Sequence, residues 1–175
     1  HAIMSNWSYF TMYRFNWDEK MVGISLAVVG VLVATVQGGL TRVINPRLGN
    51  EKTLYTGLAL YAIGMLLFGI ASQSWMMFVF LVPYCLGGIA QPALQAVMAG
   101  HVPPNVQGEL QGTVTSLMSL AAIIGPLLMN NLFFYFTHSE APVHLPGAPF
   151  LLASVLMGTS AFIAYRTLHP NKSIA

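Results

Sequence analysis

The chain has 175 residues, of which 55% are hydrophobic and only 7% charged, with a formal net charge of +2. Ordinary globular proteins carry about 25% charged residues, so this composition excludes a water-soluble domain and makes lipid the expected solvent. Seven Lys and Arg form no basic cluster, which excludes a nucleic-acid surface. The single cysteine, Cys85, excludes an internal disulfide and a cysteine-built metal site.

Residues 1–14 (HAIMSNWSYFTMYR) are apolar and aromatic. They supply only part of the roughly 20 residues that a helix needs to cross a bilayer, so they read as the end of a span. No charged leader with a short apolar run and cleavage site opens the chain, and it reads as an excerpt of a longer one. Five complete spans follow, at 21–41, 53–71, 75–99, 110–136 and 148–168, and a polar tail closes the chain at 169–175. The connectors are short. RFNWDEK (14–20) is charged, TRVINPRLGNEK (41–52) offers Pro46 and Gly49 for a turn, and GHVPPNVQGE (100–109) holds two adjacent prolines that stop a helix. Membrane strands would be about 10 residues long and strictly alternating. These runs are longer, continuous and rich in Leu, Ala, Gly and Met, so the fold class is all-α membrane protein.

Consecutive spans alternate sides of the membrane. One side collects Arg14 and Lys20; the other collects Arg42, Arg47, Lys52, Arg166 and Lys172. Cytoplasmic connectors are the ones enriched in Lys and Arg, so the C-terminus is expected in the cytoplasm. Trp17 and Trp75 fall at the outer boundary, where aromatic anchors belong.

Polar side chains inside a span are costly and mark function by default. In the first segment Asn6, Tyr9, Phe10 and Tyr13 recur at helical spacing beside Trp7, which predicts an aromatic wall of a ligand cavity. Gln37 precedes Gly38 and Gly39, small enough for close helix approach. Gln91 and Gln95 stack one turn apart, and Pro92 between them removes a backbone hydrogen bond and invites a kink. That face should look at protein or a wet cavity rather than lipid.

In the next span Gly108 and Gly112 form a small-xxx-small packing pair, Ser116 and Ser119 lie on polar stripes, Gly125 and Pro126 are expected to break the helix, and Asn130 lies deeper still. The spans 53–71 and 148–168 carry few polar residues and read as outer helices. No acidic, basic or histidine residue lies mid-span, no histidines share metal-ligand spacing, and no nucleophile–base pair is legible. Neither an enzyme nor a cofactor is expected.

The segments FNWDEKMVGISLAVVGVL, RVINPRLGNEKT, GGIAQPALQAVM and QGELQGTVTSLMSLAAIIGPLL resemble, in order, the C-terminal half of tetracycline-efflux-type drug/proton antiporters of the major facilitator superfamily. The resemblance runs through about 1–136 and more loosely to 168. It implies that 1–14 is the end of helix seven and that the five spans are helices eight to twelve of a fold built from two six-helix halves. Helices seven, eight, ten and eleven then line a central cavity. Arg47 and Gly49 fit a degenerate copy of the family's cytoplasmic loop motif, with Pro46 at its acidic position.

The partners implied are the lipid bilayer of the bacterial inner membrane, a small amphiphilic substrate, protons and an N-terminal six-helix half. The family's helix-eight His and helix-nine Asp fall on Val33 and Tyr61, which moves proton coupling to carboxylates outside this chain. Uptake of a metabolite on the same fold, or a non-transporting receptor or assembly role, are the alternative functions.

Overall fold

The computed structural model describes residues 2–138 and 144–168, with side chains from residue 6 onward. Its elements are α1 (Ala2–Phe15), α2 (Glu19–Thr35), a π turn (Val36–Leu40), α3 (Thr41–Leu48), α4 (Asn50–Ile70), α5 (Ser74–Leu86), a 3-10 turn (Gly87–Ile89), α6 (Ala90–Gly100), a second 3-10 turn (Pro104–Val106), α7 (Gln107–Thr137) and α8 (Ala148–Leu168). No strand occurs among the described residues. Five continuous helical stretches are long and apolar enough to cross a membrane: Glu19–Leu48, Asn50–Ile70, Ser74–Gly100, Pro104–Thr137 and Ala148–Leu168. Each overlaps one of the runs read from the sequence, from Ala148–Leu168, which coincides with 148–168, to Glu19–Leu48, which continues well past 41. The tail 169–175 lies outside the described residues.

Local chemistry sets the ends. Asn16 takes a positive φ of 52°, a conformation Asn tolerates better than most residues, and turns the chain after α1. Asp18 then caps α2, its Oδ1 accepting from the Met21 N–H at 2.8 Å. The connector at 41–52 corrects the sequence reading. It is not an open turn, because helix continues through Pro46 to Leu48 and the reversal is confined to Gly49, whose φ of 78° needs a glycine. Trp17 is a second correction. It is buried, stacks on Phe78 at 5.4 Å and donates from Nε1 to Ser74 Oγ at 2.5 Å, so it packs the α1–α2 corner onto α5. Trp75, by contrast, is 59% exposed and hydrogen-bonds Gln73, as a boundary residue would.

The helix α4 is the hub, packing on α3, α5, α6 and, most extensively, α8. The expectation of a peripheral 53–71 helix is therefore corrected on one face, although Ile63, Leu66 and Ile70 do leave the other face apolar and exposed. Glycines make the close approach possible. A Cβ at Gly57 would stand 2.7 Å from the Ala90 backbone nitrogen, and one at Gly64 would stand 2.9 Å from the Tyr84 Cα. Gly147 meets the backbone of Gly69 more closely still. Ser154 Oγ donates to the Ala62 carbonyl at 2.7 Å, tying α8 to α4. At the far end Phe10, Phe68 and Phe150 interlock edge to face, with centroids 4.8 Å (Phe10–Phe150) and 5.9 Å (Phe68–Phe150) apart. Such pairs add about 0.5–1.5 kcal/mol each beyond their buried area.

Candidate functional site

Two departures from α geometry face each other inside the bundle. In the first long span, Val36–Leu40 form a π turn, and Thr41 satisfies the freed Val36 carbonyl twice, with its N–H and with its hydroxyl at 3.0 Å. Single π turns within α-helices concentrate at functional sites because they rotate the following side chains out of register. Gly38 and Gly39 follow Gln37 with no heavy atom within 4 Å of a would-be Cβ, so no packing holds this stretch in ordinary helix. In the third span, the Gly87–Ile89 turn is wound as 3-10 and is fully buried.

These two turns are in contact. At Gly88 a Cβ would be 3.8 Å from Gln37 Nε2 and 3.8 Å from the Tyr61 hydroxyl, while Gly87 abuts the Tyr61 ring. An amide, a phenol and a bare stretch of backbone thus lie together, with Gln37 exposed at the edge of the bundle.

The glutamine pair lies just beyond this junction. Gln91 is exposed in the first turn of α6, and Gln95, half-buried, accepts a hydrogen bond from Gln111 Nε2 of α7 at 3.0 Å. Gln111 is a partner that the sequence does not reveal for Gln95. Only the tertiary approach of α6 and α7 shows it. Pro92 occupies the first turn of α6, where a missing N–H is cheap. The irregularity sits one turn earlier, at Gly87–Ile89, so the expected kink is displaced toward the glycines.

Along α7 the expected break at Gly125 and Pro126 does not occur: the helix is continuous from Gln107 to Thr137 with Pro126 inside it. Proline costs one backbone hydrogen bond there and the rest of the ladder persists. Ser116 and Ser119 bond back to their own helix, to the Gly112 and Thr115 carbonyls, each at 2.9 Å. Asn130 is exposed, and its neighbour Asn131 bonds to the Leu127 carbonyl at 2.7 Å. Gly108 and Gly112 have nothing within 4 Å of a would-be Cβ. As packing glycines they have no partner among the described residues. Among the described residues of α7 only Met129 is buried.

The expected aromatic wall on α1 divides in two. Tyr9 and Tyr13 are 61% and 51% exposed and form an open rim, and Tyr13 reaches α7 through its hydroxyl to the Thr137 carbonyl at 3.4 Å. Trp7 and Phe10 are buried instead. The Trp7 indole donates to Ser25 Oγ at 3.0 Å and meets Phe68 edge-on at 5.1 Å, so both rings belong to the packing core. That corrects their place on a cavity wall, because the helix turns these two positions toward its neighbours. Asn6 is 1% exposed, and neither its Oδ1 nor its Nδ2 has a partner. Arg47 is exposed in the last turn of α3, and Gly49 makes the reversal below it. No group of His, Cys, Asp or Glu among the described residues is arranged to hold a metal ion.

A bundle of apolar, membrane-length helices, pinned by glycine contacts and carrying uncharged polar groups at its irregular turns, defines a multi-pass membrane protein. The Major Facilitator Superfamily profile matches residues 2–174, and the chain belongs to that family. It is 37% identical over 168 residues to the tetracycline resistance protein, class E, of Escherichia coli, covering 96% of this chain and 40% of that one. It is 42% identical over 121 residues to the class G protein of Vibrio anguillarum, covering 69% of this chain and 31% of the relative. The hippocampus abundant transcript-like protein 1 of Homo sapiens is 26% identical over 173 residues, with 90% of this chain and 34% of the relative covered. The chain thus spans between about 30% and 40% of the length of the curated relatives it matches. No solved structure matches it. The resemblance to the tetracycline-resistance branch, read from GGIAQPALQAVM and its neighbours, is borne out by these relatives.

Proposed function

We propose that this chain is the C-terminal half of a bacterial inner-membrane transporter that exports a drug-like amphiphilic compound in exchange for protons, by alternating access between two helical halves. The observation that carries the reading is the junction at Gly88, where the Gln37 amide and the Tyr61 hydroxyl converge on two adjacent non-α turns. Uncharged hydrogen-bonding groups beside an apolar wall suit a ligand with a polar edge and a hydrophobic body. Mid-membrane broken helices are where such folds bind substrate. In this reading Gln37, Gln91 and Gln95 bind ligand or its water from one wall, and Tyr9, Tyr13, Ser116, Ser119 and Asn130 from the other. Asn6 is a polar group held in reserve behind them. The glycine turn and Pro92 let the third span bend as the halves rock.

The C-terminus lies in the cytoplasm, supported by the Lys and Arg on that side. The N-terminal half packs over the open small-residue faces, Gly23, Gly30 and Gly38 of the first span and Gly108 and Gly112 of α7, none of which meets another atom within 4 Å at its would-be Cβ. Proton coupling rests on carboxylates of that half. Val33 cannot titrate, and Tyr61 is half-buried beside Gly87 and Tyr84.

The test uses everted vesicles containing the intact protein. They are energised, tetracycline and other amphiphilic drugs are added, and lumenal pH is followed by dye fluorescence. Drug-triggered proton release is the expected outcome. Silence across the panel, with the protein shown to be inserted, overturns antiport. Replacing Gln91 and Gln95 together by leucine is expected to narrow the substrate range, and an unchanged range and rate removes the glutamines from the binding site.

A further inference from the structure

A second concavity lies outside the junction and faces the bilayer. It is a groove of about 450 Å³ between α4, α6 and α8, walled by Leu54, Leu58, Leu94, Val97, Ala164 and Leu168. At the end of the bundle where α4 begins, it runs into a second hollow of about 380 Å³, with Val97 shared by both walls. That hollow is lined by Glu51 and Lys52 in the first turn of α4 and by His101 at the end of α6. Its chemistry is the opposite of the groove's, with a cation and an imidazole directly above a hydrocarbon slot. His101 is held in place by its Nδ1, which lies 2.7 Å from the Val97 carbonyl. A carbonyl oxygen only accepts, so Nδ1 carries the proton.

We propose that the groove and the hollow together bind one acidic glycerophospholipid from the adjacent leaflet, an acyl chain lying against Leu94 and Val97 and the phosphate beside Lys52. Charge complementarity argues for this occupant. Among the described residues this end of the bundle presents Arg42, Arg47, Lys52 and Arg166 against Glu51 and Glu109, whereas the opposite end balances Arg14 and Lys20 with Asp18 and Glu19. Lysine and arginine beside a membrane attract anionic headgroups. The groove alone has no preference among lipids, because an acyl chain leaves hydrocarbon to enter hydrocarbon and gains only packing. Selection therefore falls to the headgroup, and the groove fixes where the headgroup sits. The site lies between α4, α6 and α8, its walls do not include Gln37, and it does not depend on what is transported.

The experiment adds phosphatidylglycerol or phosphatidylcholine to the purified intact protein in detergent and reads native mass spectra and melting temperature. A one-to-one phosphatidylglycerol adduct that survives detergent removal in the gas phase, and a rise of several degrees absent with phosphatidylcholine, is expected. Lys52→Gln and Leu94→Trp should each abolish the preference, the first by removing the charge and the second by filling the slot. Lys20→Gln, at the opposite end, should leave it intact. Equal binding of the two lipids overturns the proposal, as does a preference that survives Lys52→Gln. Equal protection by glycerol 3-phosphate would show an anion site without a lipid and also overturns it. Should Leu94→Trp fail to fold, Leu94→Phe tests the slot.

Discussion

Asn6 is the most exposed liability in the bundle's energetics and is itself almost wholly buried. Both amide atoms lie without partners. Burying an unpaired polar group costs about 1–3 kcal/mol on the scale set by protein mutagenesis, a cost a stable core has no reason to keep. Asn6→Leu should therefore raise the melting temperature of the intact protein. A fall would show that the amide has a partner in the assembled molecule. Ser25→Ala should act in the other direction. It removes the acceptor of the Trp7 indole 3.0 Å away and leaves a buried N–H orphaned, at a cost of about 1–3 kcal/mol. Thermal unfolding of the two variants side by side, with opposite signs expected, checks both.

Among the elements, α4 is held by absence of side chains. Gly57 and Gly64 lie two turns apart on one face, and each would drive a Cβ into backbone of the third span. Backbone cannot rotate aside as a leucine tip can, so Gly64→Ala should cost about 1–3 kcal/mol through overpacking, read as a lowered melting temperature with the helical signal unchanged. Gly23→Ala on the first span is the matched control within this half, since nothing lies within 4 Å of its would-be Cβ. An equal loss for the two would remove the contact at Gly64 as the cause, because helix propensity by itself favours alanine over glycine. Pro126 belongs at this scale too. It interrupts the ladder of α7 without breaking the helix. Pro126→Ala should therefore stabilise α7 by restoring one hydrogen bond, and slowed transport with raised stability would mark this point as a flexing site.

For the whole molecule, the lopsided burial matters most. The helices α4 and α8 pack extensively, while α7 touches mainly α1 and α8 and leaves Leu117, Leu120, Ile123 and Leu127 outward. A face carrying back-bonded serines, and glycines with no neighbour among the described residues at Gly108 and Gly112, is not oily enough to prefer lipid. On the proposed two-half reading, Gly112→Leu should leave the packing of this chain untouched and weaken its hold on the N-terminal half. Co-expressing the two halves as separate chains and measuring how much of one co-purifies with the other tests this. Undiminished co-purification would place the interface elsewhere.

Composition alone was enough to determine the solvent: with so few charges, the chain could only be covered by lipid. Continuous apolar runs bounded by Pro, Gly and charged connectors then marked out five membrane-length helices, because a helix in hydrocarbon must satisfy its own backbone and so has a length set by the bilayer. The segments resembling the superfamily were legible for the same local reason. Register and contact were not. The sequence shows Gly38 and Gly39 beside Gln37 but not the π turn that meets the 3-10 turn at Gly88. It shows Gln95 and Gln111 but not that they bond. Trp7 and Phe10 share a stripe with Tyr9 and Tyr13 on paper, yet only the packing of α1 against α2, α4 and α8 decides which rings are buried and which form the rim. Periodicity assigns a residue to a face of its helix. Which neighbour covers that face is settled by side-chain volumes and backbone approach summed over several helices, and that information exists only in the folded bundle.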